Sequence, residues 1–247
     1  MKKRIIALLL LLLFVVSLTG CGFRGCVPIE REEPPKETHA RATIATVEES
    51  TRVITEATTE ATEETENESA DTDIGVVDGN TYTNRTIGIV CTLPEGWYVY
   101  NETDLASLNN LVGSMLDGTA IANAIENNQA VVIFCASEPT AVSSLNVTVT
   151  KNPLPVFDEE TMINMTVSQV EAQLAQTGMQ NISCGTSTVN FCGEEHTVLT
   201  VSGEAYGMPL YEKILILHCG NYLYSVTASA YQEDTTVPIL DYFKPLD

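Results

Sequence analysis

The sequence predicts an α+β domain, an antiparallel β-sheet with helices packed on its faces. Three observations carry that prediction. The last third of the chain reads as strands joined by tight turns, and such strands pair antiparallel. One long amphipathic helix, from about Asp158 to Thr177, precedes them with start and stop signals in place. Shorter strand-like and helical runs lie ahead of that helix, enough to clothe a sheet.

In chain order, Asn80 to Leu93 reads as strand, with Ile87, Ile89, Cys91 and Leu93 on one face at period two. Pro94-Glu95-Gly96 suits a type I turn, and Trp97-Tyr98-Val99-Tyr100 resumes extended structure. In that segment Trp97 and Val99 face one way, into packing between the sheet and the first helix, while Tyr98 and Tyr100 face outward. Thr103 is placed as the N-cap of a helix carrying Leu105, Leu108, Leu111 and Val112. Gly113 or Gly118 breaks it, and a second short helix uses Ile121 and Ile125. Ala130 to Ala136 is a buried strand, and Ser144 to Thr150 alternates as a half-buried one.

The long helix has Asp158 as N-cap, and Glu159 and Glu160 suit the positive end of its dipole. Ile163, Val167, Val170 and Leu174 share a face, and Gly178 ends the helix. Strands follow at about 181–192, 196–204, 209–219 and 221–231, with a short helix from about Thr236 to Phe243.

Taken together, Tyr82 and Asn84 before the first strand, Leu93-Pro94-Glu95-Gly96-Trp97 after it, and Gly220-Asn221-Tyr222 opening the last strand resemble the PsbP/Mog-like fold. That resemblance spans nearly all of 81–247 and implies an α-β-α sandwich. Its members are mostly accessory or binding proteins with no shared reaction, so it implies no catalytic residues and no cofactor.

Three segments make up the chain: a signal peptide (1–20), a tether (21–79) and the single α+β domain (80–247). Lys2, Lys3 and Arg4 precede an apolar run from Ile5 to Val16, too short for a transmembrane helix and right for a signal-peptide core. Leu18-Thr19-Gly20-Cys21 resembles the lipobox of bacterial lipoproteins. That resemblance implies that Cys21 becomes the first residue of the mature chain and carries a thioether-linked diacylglycerol. It implies a membrane-anchored, palmitate-bearing protein on the extracytoplasmic side of a bacterial envelope.

The tether, typified by Thr55 to Ser69 (TEATTEATEETENES), lacks the apolar surface to offset its ordering entropy and is expected to be disordered. As a coil of about 53 residues it spans on the order of 40 Å. The faint calcium-loop pattern of Asp71, Asp73 and Asp78 lacks the glycine and glutamate of an EF-hand and reads as linker. Asn-x-Thr sites such as Asn84, Asn101 and Asn146 read as chance in such a protein.

The whole chain carries a formal charge of −21. From Thr81 on there are four basic residues against 18 acidic ones, a balance of −14. Such a surface repels nucleic acid and leaves a cationic partner, or a protein partner at the envelope, open.

Outside the tether's His39, the chain has two histidines, His196 and His218. Cys192 and His196 bracket the first turn of the terminal meander, and His218-Cys219 stands at the third, so the four are expected at one sheet edge. Two thiols and two imidazoles suit zinc, but the paired Cys-x-x-Cys spacing is missing, and the two thiols are expected to lie roughly 9–10 Å apart. The favoured reading is therefore two surface histidines near two half-buried thiols, with no metal. A hydrolase-like or metal-binding site at the His196/His218 edge is the alternative to a non-catalytic binding module. Five cysteines in the domain (Cys91, Cys135, Cys184, Cys192, Cys219) are expected to be mostly free, Cys91 and Cys135 as small core hydrophobes.

Overall fold

A computed structural model describes residues 74–109, 118–152 and 157–246. The signal peptide, Cys21, Cys26, the tether and the expected helical positions Leu111 and Val112 lie outside the described residues.

Among the described residues, eleven strands form two antiparallel sheets. The smaller has the order β1-β2-β3-β11, from Val76–Asp78, Thr81–Asn84, Ile89–Thr92 and Phe243–Pro245. The larger has the order β4-β5-β6-β10-β9-β8-β7. Its strands are β4 (Tyr98–Val99), β5 (Val131–Ser137), β6 (Ser143–Lys151), β7 (Gln180–Phe191), β8 (Glu194–Ala205), β9 (Met208–Cys219) and β10 (Tyr222–Tyr231). Helices are few among the described residues: α1 (Glu102–Leu108), α2 (Gly118–Glu126), α3 (Glu159–Leu174) and α4 (Thr236–Leu240).

This corrects the expected α-β-α sandwich. The molecule is dominated by its sheets, and a second sheet occupies much of one face that helices were expected to cover. The physical cause lies in the run read as one strand from Asn80 to Leu93. Asn84 Oδ1 accepts from the Ile87 amide at 3.2 Å, and Gly88 adopts φ +64°, a conformation glycine takes at no steric cost. The run therefore folds back as the β2–β3 hairpin. At the far end of the chain the expected helix stops at Leu240, and Phe243–Pro245 pairs with β3 as a fourth strand.

Strand alternation sorts the core. Val147, Val189, Val198, Leu215 and Val226 meet the small sheet, α1, α2 and α4. Tyr82 stacks on Phe134 with ring centroids 4.2 Å apart, and Phe243 lies 5.5 Å from Phe191, tying sheet to sheet. On the other face Leu199, Val201, Ile214, Ile216 and Leu223 meet Ile163, Val170 and Leu174 of α3. Strand β6, expected to be half-buried, is buried at Ser144, Asn146, Thr148 and Thr150 as well as at its valines.

Helix α3 forms as its sequence dictates. The Asp158 side chain accepts from the Thr161 amide at 2.7 Å, Glu159 and Glu160 fill the first turn, and Gly178 at φ +86° closes the following 3₁₀ turn. Helix α1 is capped two residues earlier than expected. Asn101, not Thr103, is its N-cap, in a capping box with Asp104. Trp97 packs edge-on to Tyr242, with centroids 5.5 Å apart, so it braces the C-terminal turn against the core cluster that also takes Leu105 and Ala106 of α1. Tyr98 is 50% exposed, and its hydroxyl donates to Asp104 at 2.6 Å, which raises its pKa to about 12.

Candidate functional site

The histidine edge is built by a parting of strands. β7 and β8 pair without a break from Ser183↔Ser202 to Phe191↔Glu194. β8 and β9, by contrast, pair only from Val198↔Leu215 to Ala205↔Met208. Beyond Val198 the start of β8 follows β7, while Ile216 to Cys219 of β9 follow β10. The N-terminus of α3 comes against this parting. The result is an open groove of about 540 Å³ lined by Asp158, Glu159, Glu160, Glu195, His196, Thr197 and His218.

Two contacts set its chemistry. His196 Nδ1 lies 3.1 Å from Glu159 Oε2, with side-chain exposures of 14% and 29%, joining β8 to the first turn of α3. Asp158 is held below the usual carboxylate range, first by its hydrogen bonds from Thr161 and then by the His218 imidazole. His218 Nε2 is itself buried without a hydrogen-bond partner. Among the described residues, four carboxylates line the groove, and no lysine or arginine does.

The sequence therefore brought the right histidines to one place and the wrong cysteines with them. His196 and His218 share the groove, whereas Cys192 and Cys219 pack against the core on the small-sheet side. Cys192 sits in the β7–β8 turn at φ +53° and lines a separate cavity of about 130 Å³ with Asp241 and Lys244. Cys219 Sγ approaches the Thr86 carbonyl at 3.5 Å. Strand alternation explains the split: Cys219 follows Leu215 and Leu217 in parity, and His218 follows Ile214 and Ile216. Among the described residues no group of three or more His, Cys, Asp or Glu is placed to hold a metal ion.

Burial pushes the Cys192 thiol up to about 11, against a smaller opposing pull from Lys244. The buried Cys91 thiol is pushed to about 12, and that of Cys184 to about 11. Thiols so raised are protonated at neutral pH and are poor nucleophiles. Cys91, Cys184, Cys192 and Cys219 are free, as expected; Cys135 is disulfide-bonded, which corrects its reading as a free core thiol. The acidic residues of the α3 start were read only as a favourable helix terminus. Their part in the groove depends on where β8 and β9 separate, which no local pattern encodes.

No protein-family model matches the chain, and no curated protein does. The PsbP/Mog-like resemblance thus gains no support. Solved structures give distant likenesses. LpqN, involved in cell envelope biogenesis of Mycobacterium tuberculosis, is similar at 10% identity and TM-score 0.31, over 64% of this chain and 83% of that one. A protein of Bacteroides thetaiotaomicron VPI-5482 is similar at 8% identity and TM-score 0.37, over 69% of this chain and half of its own length. PA94 of Pseudomonas aeruginosa, of unknown function, is similar at 8% identity and TM-score 0.26, over 38% of this chain and 62% of that one. No described helix is long and apolar enough to cross a membrane.

Proposed function

We propose that this chain is a lipid-anchored lipoprotein of the bacterial envelope, held by Cys21 on the extracytoplasmic side. Its domain acts as a non-catalytic binding module that receives a cationic group of an envelope partner in the groove between β8 and β9. The observation that carries the reading is the lining of that groove: Asp158, Glu159, Glu160 and Glu195 stand together, with no lysine or arginine among the described lining residues. A cationic partner gains from these carboxylates, and an acidic domain steers it there. The His196–Glu159 contact ties two walls of the groove together, which favours a preformed site.

The test uses the mature chain carrying Cys21→Ser and a fluorescent oligolysine peptide as cationic probe. The double variant Glu160→Gln, Glu195→Gln leaves the helix cap and the His196 contact in place. It is expected to weaken probe binding about tenfold. The control Glu102→Gln, Glu233→Gln removes the same charge elsewhere and is expected to change it less than about twofold. Equal loss in both would reduce the effect to net charge and overturn the groove as the site. For the anchor, Cys21→Ser is expected to abolish palmitate labelling and detergent partitioning; persistence of both would remove that part of the reading.

A further inference from the structure

Among the described residues, strand β7 is the outer strand of the large sheet, with β8 on one side only. The sheet's opposite edge, β4, has two residues, and the edges of the small sheet, β1 and β11, have three each. Short edges offer little to pair with. β7 has 12 residues, and QNISCGTSTVNF carries neither the charges nor the proline that usually protect an edge. Its irregularity lies at one end, between Gln180 and Ser183, and from Ser183 to Phe191 the strand is regular.

We propose that β7 is a self-association edge, pairing antiparallel with β7 of a second copy to make one continuous sheet across a two-fold axis. Self-complementarity argues for a second copy as the occupant. An axis at Ser187 uses the whole regular stretch: Ser187 meets Ser187, Thr186 meets Thr188, Gly185 meets Val189, Cys184 meets Asn190 and Ser183 meets Phe191 of the other copy. Threonine pairs and small residues against larger ones suit facing strands. Ser187 Oγ, at the centre of that arrangement, is a buried hydroxyl with no hydrogen-bond partner. The axis sets two such hydroxyls face to face. Charge points the same way. The domain is strongly acidic, so two copies repel over most approaches, and the uncharged strand is where they meet at least cost.

Sedimentation velocity of the mature Cys21→Ser chain, from about 1 to 200 µM, tests this over the affinity range of modest homodimers. Wild type is expected to pass from monomer to dimer, more readily at high salt because screening relieves acidic repulsion. The double substitution Thr186→Lys, Thr188→Lys puts like charges opposite each other twice and is expected to raise the dissociation constant at least about tenfold. Thr186→Lys with Thr188→Glu puts opposite charges face to face and is expected to bring it back to within about threefold of wild type. Thr186 and Thr188 are exposed, so both variants keep the fold, which a thermal melt checks. Hydrogen exchange provides a second readout: amides of Ser183 to Phe191 gain protection as concentration rises. A wild type that stays monomeric overturns the proposal. So does a double-lysine variant that dimerises like wild type, or a folded charge-swap variant that does not recover. Protection of β7 only when a different envelope protein is added also overturns it, and assigns the edge to that partner.

Discussion

Two glutamates in different parts of the sheet-and-helix layer teach what position does to one side chain. Glu159, in the first turn of α3, reaches an imidazole across an open groove. Glu212, in the middle of β9, is 3% exposed and has one partner, the Ser229 hydroxyl, which donates to its Oε1 at 2.8 Å. Its Oε2 has none. Burial pushes the Glu212 pKa up to about 7, and the Ser229 bond opposes that only in part. The described lysines near the sheet are engaged elsewhere, Lys213 with Asp234 and Lys151 with Glu126. The same carboxyl thus stands beside an imidazole at an open groove in one place and, in the other, is a buried group that sheds its charge at mildly acidic pH.

The largest expected effect breaks the comparison on the buried side. Glu212 has its pKa raised from 4.5 to about 7 on folding, so between those values the folded state binds a proton that the unfolded state releases. Stability is therefore full below about pH 4.5, falls as pH rises through 7, and is flat above. At about 1.4 kcal/mol per pH unit the loss is on the order of 3 kcal/mol. Glu212→Gln keeps an acceptor for Ser229 and carries no charge. It is expected to gain about that much over wild type at pH 8 and nearly nothing at pH 4, read by urea denaturation at each pH. Equal effects at both values would place Glu212 in solvent-like surroundings.

A middle-sized effect addresses the cap beneath the groove. Asp158→Ala removes the acceptor of the Thr161 amide at the α3 N-terminus and is expected to cost about 1 kcal/mol. It also removes one of the groove's carboxylates, so affinity for a cationic probe falls with it. Asp158→Asn separates the two roles: it retains the cap, so stability stays within a few tenths of a kcal/mol of wild type while binding still weakens. Amide exchange through the first turn of α3 reports the cap directly.

Groove and buried face were unequally legible in the sequence. The α3 cap, its acidic first turn and its closing glycine are local signals, and all stand where the sequence puts them. The terminal meander was legible for the same reason, since turn residues and period-two alternation are read within a few positions. What escaped is non-local. The β2–β3 hairpin turns on Asn84 and Gly88 inside a run that alternates like one strand, and β11 becomes a strand only by finding β3. Together they turn the expected helical cover into a second sheet. The four-residue histidine–cysteine edge failed in a related way. Proximity along the meander was right, but Cys219 and His218 are neighbours in sequence and so face opposite sides of the sheet. Glu212 carries no local mark of its burial in "LYEKILIL", where a glutamate stands at an ordinary strand position.

The smallest expected effect sharpens the open side of the comparison. His196→Gln removes an imidazole that sits 3.1 Å from Glu159. Partly exposed pairs of this kind contribute about 0.2–1 kcal/mol, because water serves the carboxylate nearly as well. The imidazole also packs edge-on to Phe191, with centroids 6.2 Å apart, so the cost of losing packing adds to that of losing the contact. A double-mutant cycle with Glu159→Gln separates the two. A coupling energy of a few tenths of a kcal/mol, reduced by high salt, is expected for a contact open to solvent. A coupling above about 2 kcal/mol that ignores salt belongs to desolvated charge pairs. That result would make the groove floor as desolvated as the surroundings of Glu212, and it would erase the distinction between them.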